Sequence, residues 1–317
     1  VAMLNEKVDV SKAKRFVGNA QFDYKIHGFE DLRLNLNLGV DVSKSNGTVD
    51  VVPGAEQSIH STGDAGSGSH TDYSQLRRDQ TLEFYGAYAK TLGDHSFDVM
   101  LGYSWQHSYT QSFNATNRVA DVTKWDVYSN EPYVALDPTA ANYYSSEPKV
   151  SKSEYFLVSF FGRANYSYAN RYSITATLRA DGTSRFANNK WGIFPSVALA
   201  WNIKNESFLE DVDAVSALKW RLSYGQTGQQ DVGGVYDALP TYYLNTLGSY
   251  YPFGGYTEGN GLVYPIKPVG YNADLKWETT TTYNAGIDFG FLDNRITMSA
   301  DFYYRATKDL LNFTPVP

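Results

Sequence analysis

The chain has 317 residues, with 27 Lys and Arg against 34 Asp and Glu, a formal net charge of −7, and no cysteine. Without cysteine there is no disulfide framework, thiolate metal site or cysteine nucleophile, and a net acidic chain without basic runs is poorly suited to neutralising nucleic-acid phosphates. With 26 Tyr, 17 Phe and 6 Trp, the aromatic load is too heavy for a disordered chain.

The first residues have neither a basic region nor a long apolar core, so no secretory signal is read; either it has been removed or the chain begins inside something larger. The longest nearly apolar runs, 155–162 and 192–201, fall well short of the ~20 residues a helix needs to cross a bilayer. A transmembrane barrel shows no such run.

Alternation dominates the chain from its start. Arg15–Ile26 reads as a first strand. In Asp31–Val42 the residues Leu32, Leu34, Leu36, Leu38, Val40 and Val42 share one face, and Asp31, Arg33, Asn35, Asn37, Gly39 and Asp41 the other. Gln80–Thr91, Ser96–His107 and Tyr155–Tyr168 follow. Arg171–Asp181 repeats the clean pattern through Tyr172, Ile174, Ala176, Leu178 and Ala180. Trp191–Asn202, Leu218–Gly225 and Thr282–Phe291 come next, and Arg295–Arg305 closes the series with Ile296, Met298, Ala300, Phe302 and Tyr304 on one face. These make about ten strands of about twelve residues, roughly twice the usual length. At ~3.3 Å per residue and ~45° of tilt, such a strand covers about the height of a hydrocarbon core.

The connections alternate between tight and long. Residues 27–30, 92–95, 169–170 and 292–294 are short turns bearing Gly, Asn and Asp. Residues 205–217 form a further short connection, expected to hold one helical turn capped by Ser207, with Phe208, Val212 and Val215 on a common face. Residues 43–79, 108–154, 182–190 and 226–276 are long. In an up-and-down sheet this puts every tight turn on one edge and every long loop on the other. Outer-membrane barrels sort their connections this way, with short periplasmic turns and long extracellular loops. Soluble sandwiches also use alternating strands but have no reason to sort loops, and no propeller-blade repeat is visible. The fold expected is therefore all-β, a transmembrane antiparallel β-barrel.

The charges agree. Arg33, Asp98, Arg163, Arg179, Asp181, Arg221, Asp288, Asp301 and Arg305 sit on the polar side of their strands. An Arg or Lys facing lipid near the midplane would cost ~2–4 kcal/mol, so these residues are expected to face the interior, and their mixed signs suggest ion-pair ladders or packing against a plug. Tyr24, Trp105, Tyr166, Tyr168, Trp191, Trp201, Tyr224, Trp277 and Tyr304 lie near strand ends and suit interfacial girdles.

No catalytic constellation can be assembled. His27, His60, His70, His95 and His107 are scattered without zinc-ligand spacing, and no metal or cofactor is expected. The best candidate ligand- or lid-contact surface is the loop 226–276, with Tyr236, Tyr242, Tyr243, Tyr250, Tyr251, Tyr256 and Tyr264 among Gly and Asn. The loop 108–154, with Trp125 and Tyr128, is second. Aromatic faces stack on sugars or peptide side chains, and the same rings also pack loops together.

A series of motifs then narrows the reading. Leu178-Arg-Ala-Asp-Gly-Thr-Ser-Arg-Phe186, Lys190-Trp-Gly-Ile-Phe-Pro-Ser-Val-Ala-Leu-Ala-Trp201, Leu218-Lys-Trp-Arg-Leu-Ser-Tyr-Gly-Gln-Thr-Gly-Gln229, Trp277-Glu-Thr-Thr-Thr-Thr-Tyr-Asn-Ala-Gly-Ile-Asp-Phe289 and Asp301-Phe-Tyr-Tyr-Arg-Ala-Thr-Lys-Asp-Leu310 stand in this order. In order and spacing they resemble the SusC/RagA family of TonB-linked outer-membrane transporters of Bacteroidetes, and the earlier half, from Arg15 to Trp105, is also similar. The resemblance implies a barrel of about 22 strands filled by a plug, of which residues 1–317 would be a partial wall. It implies energy from TonB, ExbB and ExbD acting on the plug, a SusD-like lipoprotein lid, and import of oligosaccharides or peptides. An assembly of two transporter–lid pairs is compatible with it. No plug, TonB box or barrel start is read in these residues. Asp181 and Arg185, inside the first motif, are expected to pin a loop rather than bind substrate. The alternative kept beside nutrient import is a structural or adhesive barrel that binds ligands with its aromatic loops; an enzyme is not expected.

Overall fold

In a computed structural model the described residues are 6–51, 69–117, 149–209, 212–231, 233–244, 251–257, 260–263, 266–268 and 270–312. Fourteen strands follow one another among them: β1 (Lys7–Lys25), β2 (Leu32–Val51), β3 (Ser69–Leu92), β4 (His95–Asn117), β5 (Lys149–Tyr168), β6 (Tyr172–Thr183), β7 (Trp191–Asn202), β8 (Val215–Gln229), β9 (Tyr242–Leu244), β10 (Tyr251–Thr257), β11 (Asn260–Val263), β12 (Ile266–Pro268), β13 (Glu278–Phe291) and β14 (Ile296–Lys308). Ten of them form one sheet in the order β1-β2-β3-β4-β5-β6-β7-β8-β13-β14, and β10-β11 and β12-β9 form two small ribbons. The large sheet is an up-and-down meander interrupted once, where the ribbons intervene between β8 and β13.

The ten expected strands are the ten strands of this sheet, but the first five, and also β8 and β13, are longer than the alternation suggests, β8 taking in residues 226–229, read as loop. β1 to β5 run for 19, 20, 24, 23 and 20 residues. Residues 43–51 and 69–79, read as loop, are strand, as are 108–117 and 149–154. These extensions carry Ser, Asn, Thr, Asp and Lys on both faces. With no apolar face to bury they leave no alternation to read, although the backbone ladder continues.

The chain divides into two compact units. Unit 1 comprises 1–20, 38–81 and 107–154; unit 2 comprises 21–37, 82–106 and 155–317. In unit 1, polar side chains tie the strand extensions together. Arg15 grips Asp41 through Nε at 2.9 Å and Nη2 at 2.5 Å, Tyr73 Oη donates to Asp9 at 3.0 Å, and Asp79 takes Arg77 at 2.7 Å and Ser108 Oγ at 2.6 Å.

Unit 2 holds the regular part of the sheet. β5 and β6 pair without a slip from Tyr168↔Tyr172 to Leu157↔Thr183, around the three-residue connection 169–171, a turn whose two central residues are Ala169 and Asn170. Both turn residues have positive φ, 49° and 53°, the conformation that matches a tight hairpin to strand twist. β13 pairs with β14 from Thr279↔Lys308 to Phe291↔Ile296, and with β8 up to a bulge between Gly290 and Phe291. The connection after β7 departs from expectation. It is a 3-10 turn over Ile203–Asn205 that no side chain caps, followed by successive backbone turns to Val215, which starts β8. Phe208 is exposed there rather than packed on a helical face.

On the polar face of unit 2 the expected ladders form. Arg163 stands 3.7 Å from Asp98, whose carboxylate also accepts from Asn165 at 2.8 Å. Arg179 donates to Asp181 at 2.7 Å and to Ser159 Oγ at 2.9 Å. Arg221 takes both oxygens of Asp288 at 2.9 Å and reaches Asp301 at 3.2 Å, spanning three strands. Gly286 lies beneath that guanidinium, where a Cβ would overlap Asp301 and come within 2.9 Å of Arg221.

Candidate functional site

The densest side-chain packing in unit 2 is at the roots of the long connections. Phe186, just past β6, is 1% exposed, and Phe194 of β7 and Trp277, just before β13, are 7% exposed. The Trp277 ring meets Phe186 edge-on at 5.8 Å and Phe194 at 5.4 Å, and Leu157, Leu275 and Leu311 close around the three. Trp277 Nε1 donates to the Lys190 carbonyl at 3.0 Å. Trp277 is therefore not an interfacial girdle residue: its indole is buried and its one polar atom bonds to backbone within the cluster. Trp191, Tyr24 and Tyr304, expected in the same role, are well exposed.

Arg185 extends the cluster toward the next connection. Its Nη1 donates to Asp231 at 2.7 Å, its guanidinium lies 4.3 Å from the centre of the Tyr155 ring, and its backbone N–H donates to Thr183 Oγ1 at 3.2 Å. The side chain is largely buried while that of Asp231 is open. Asn188 donates to the Asp274 carboxylate at 3.1 Å and Asn189 to the Asp274 carbonyl at 3.2 Å. One short segment, 183–190, thus holds both ends of the 226–276 connection: Asp231 near its start, Asp274 and Trp277 at its end. Asp181 stays inside β6, paired with Arg179.

The aromatic candidates stand as follows. Tyr236 is 40% and Tyr242 64% exposed. Tyr242 and Tyr243 lie on β9, which pairs with β12 as Tyr242↔Pro268 and Tyr243↔Lys267. Tyr251 and Tyr256 lie on β10, which pairs with β11. Trp125, Tyr128, Tyr250 and Tyr264 lie outside the described residues. Among the described residues no group of His, Asp and Glu is arranged to hold a metal ion.

Sequence reasoning missed a second polar node. Glu206, after the 3-10 turn, is buried and accepts from Tyr172 Oη at 2.6 Å, Trp201 Nε1 at 2.9 Å and Arg171 at 3.3 Å. Those donors, the phenol first, hold its carboxyl below the ordinary glutamate range. Nothing in the local sequence marks it, because its partners lie 34 and 35 residues upstream and five residues upstream.

The sequence profile described as TonB dependent receptor-like, beta-barrel, matches residues 6–317. The chain is 40% identical over 318 residues to the TonB-dependent receptor SusC of Bacteroides thetaiotaomicron, all of this chain and 29% of that protein. It is 36% identical over 255 residues to TonB-dependent receptor P3 of Formosa agariphila, 80% of this chain and 24% of that protein. It thus spans less than a third of the length of these relatives. The structure of the RagAB peptide transporter superposes with a TM-score of 0.77 at 23% identity, covering 99% of this chain and 32% of that one, which is a likeness of fold. The chain belongs to the TonB-dependent receptor β-barrel family, and its ten-stranded sheet is barrel wall of the SusC/RagA type.

Proposed function

We propose that residues 1–317 are one stretch of the barrel domain of an energy-coupled outer-membrane nutrient importer from a Bacteroidetes-like Gram-negative bacterium. The cargo is an oligosaccharide or a peptide. A SusD-like lipoprotein covers the long connections, and TonB with ExbB and ExbD works the protein through its plug. No bond of the cargo is made or broken.

The observation that carries this reading is the root of the 226–276 connection. A transporter that captures cargo between a lid and its own loops needs loops with fixed bases, because ordering them at the moment of binding costs affinity. The Phe186–Trp277 packing and the Arg185–Asp231 pair supply such a base for the connection that carries the tyrosine candidates. In this role Arg185 positions the loop, and the exposed Tyr242 is a contact for cargo or lid. The likeness to a receptor named SusC and to a structure described as a peptide transporter supports import.

Deleting the gene tests the proposal. Growth on one polymeric glycan or peptide source should fail while growth on its monomers continues. Normal growth on every polymer tested rules out nutrient import.

A further inference from the structure

In unit 1 the two faces of the sheet are set by contacts. Arg15 with Asp41, and Tyr73 with Asp9, occupy one face. The other carries Phe16 and Val40, which a Cβ on Gly18 would touch at 3.2 and 3.3 Å. Along this second face the chemistry changes within one side-chain step of ~7 Å. On β2, Leu38, Val40 and Val42 give way to Lys44, then Asn46 and Thr48. On β1, Phe16 gives way to Lys14 and Lys12. Arg78 on β3 stands on this face with its guanidinium 5.4 Å from the Tyr109 ring centre, and Lys152 lies two residues before Glu154, which meets His107.

The acids on the same face already have partners. Asp50 and Asp72 lie 2.5 and 3.3 Å from His70, and Glu154 lies 3.4 Å from His107. Lys12, Lys14, Lys44 and Lys152 are exposed and have no ion-pair partner among the described residues. At the tight-turn ends of the strands Lys90 pairs with Asp31 at 2.6 Å and Arg171 with Glu206 at 3.3 Å, while Lys25 and Arg295 have no ion-pair partner among the described residues. Next to Lys12 a cleft of about 390 Å³ is lined by Asn46, Thr48, Asp72, Ser74 and Phe113.

Unpaired lysines one step beyond an apolar face are placed for lipid phosphates, with their stems against the acyl boundary and their ammonium groups outward. This end of the strands leads into the long connections, which in outer-membrane barrels are extracellular. The leaflet met there is the one rich in phosphorylated glycolipid. We propose that Lys12, Lys14 and Lys44, with Arg78 and Lys152 beside them, form a collar that binds the phosphorylated sugar headgroup of the outer-leaflet glycolipid. The lysines take phosphate. The cleft takes a sugar ring, stacked on Phe113, with hydroxyls bonded to Asn46, Thr48, Ser74 and Asp72. This inference rests on the outer-membrane placement proposed above.

The test uses the full-length protein. Cell fractionation comes first: absence from the outer membrane defeats both proposals, whereas presence there leaves the collar to be tested alone. Detergent-extracted protein is then assayed by native mass spectrometry for retained glycolipid. Its thermal midpoint is followed with a diphosphorylated lipid A, with the same lipid dephosphorylated, and with inorganic phosphate. The diphosphorylated lipid should be retained and raise the midpoint. The triple variant Lys12→Gln, Lys14→Gln, Lys44→Gln should bind it at least about tenfold more weakly. Replacing the three lysines by arginine, or Arg15→Gln on the opposite face, should leave binding intact. If the glutamine variant does not fold, as judged by heat-modifiable migration, single Lys44→Gln and Lys12→Gln variants should each weaken binding several-fold. Equal binding by the glutamine variants, equal binding of dephosphorylated lipid, or an equal effect of inorganic phosphate overturns the proposal. So does a change in the mass of the protein assembly with lipid retention unchanged, which would make the face a protein contact.

Discussion

Arg185 and Asp231 are joined at 2.7 Å although 46 residues separate them, and the guanidinium that makes the bond also lies 4.3 Å from the centre of the Tyr155 ring. In the role proposed for Arg185, this pair would fix where the 226–276 connection leaves the sheet, with its two partners dividing the work. Tyr155 orients the guanidinium, and Asp231 receives it.

Arg185→Ala should therefore speed hydrogen exchange across residues 226–244 by at least tenfold while exchange in β6 and β7 stays as it is. Uptake of the polymeric nutrient should fall several-fold. Arg185→Lys should restore little, because an ammonium neither lies flat on the ring nor keeps the fork geometry. Unchanged exchange in 226–244 would show that the pair pins nothing.

The cluster beneath it should matter for stability. Phe186→Ala and Trp277→Ala each remove a nearly fully buried aromatic side chain and should cost about 3–5 kcal/mol in denaturant unfolding of the detergent-solubilised protein. Trp277→Phe keeps most of the packing and loses the bond to the Lys190 carbonyl, so it should cost less, about 1–3 kcal/mol.

Gly286 should behave as part of the Arg221 bridge. Gly286→Val pushes a side chain into the space between Arg221 and Asp301, so it should destabilise the protein. In a double-variant cycle its effect should be strongly non-additive with that of Arg221→Gln, since either change opens the same bridge. Simple additivity would mean that the valine acts elsewhere.

The Glu206 node predicts an acid limit. Its carboxyl is depressed in the folded state by Tyr172, Trp201 and Arg171, so its contribution is present above the ordinary glutamate range and is lost as pH falls through the lower folded value. Trp201 fluorescence and exchange in residues 203–209 should be flat from neutral pH down to the mid-4s and change below it. Glu206→Gln should show the loosened turn at every pH and no transition.

The sheet was legible in sequence wherever one face is apolar. β7 matches its expected limits, and β6 and β14 differ by only a few residues, because Ile174, Leu178, Met298 and Phe302 alternate cleanly with polar neighbours. The extensions of β2 to β5 were not, since Ser43 to Val51 has no apolar side to betray the period. The turn after β7 imitated a helix because Phe208 and Val212 are spaced by four, yet no tertiary face receives them. Trp277 was misplaced for a different reason. A tryptophan near a strand end looks the same whether it meets lipid or, as here, Phe186 from 91 positions away. Within the candidate site, Arg185 could be singled out from its motif, but its partner could not. Asp231 is an ordinary loop aspartate until the fold delivers it.

The bridges on the polar face also bear on how the wall is assembled. Arg221 is flanked by Asp288 on β13, and Asp301 follows on β14 in matching register. A slip of one residue between neighbouring strands would leave that arginine opposite Ile287 and turn a carboxylate toward the apolar side. Mis-threaded hairpins are thereby penalised strand by strand, so the ionic ladder acts as a proofreading device during insertion as well as a brace in the finished wall.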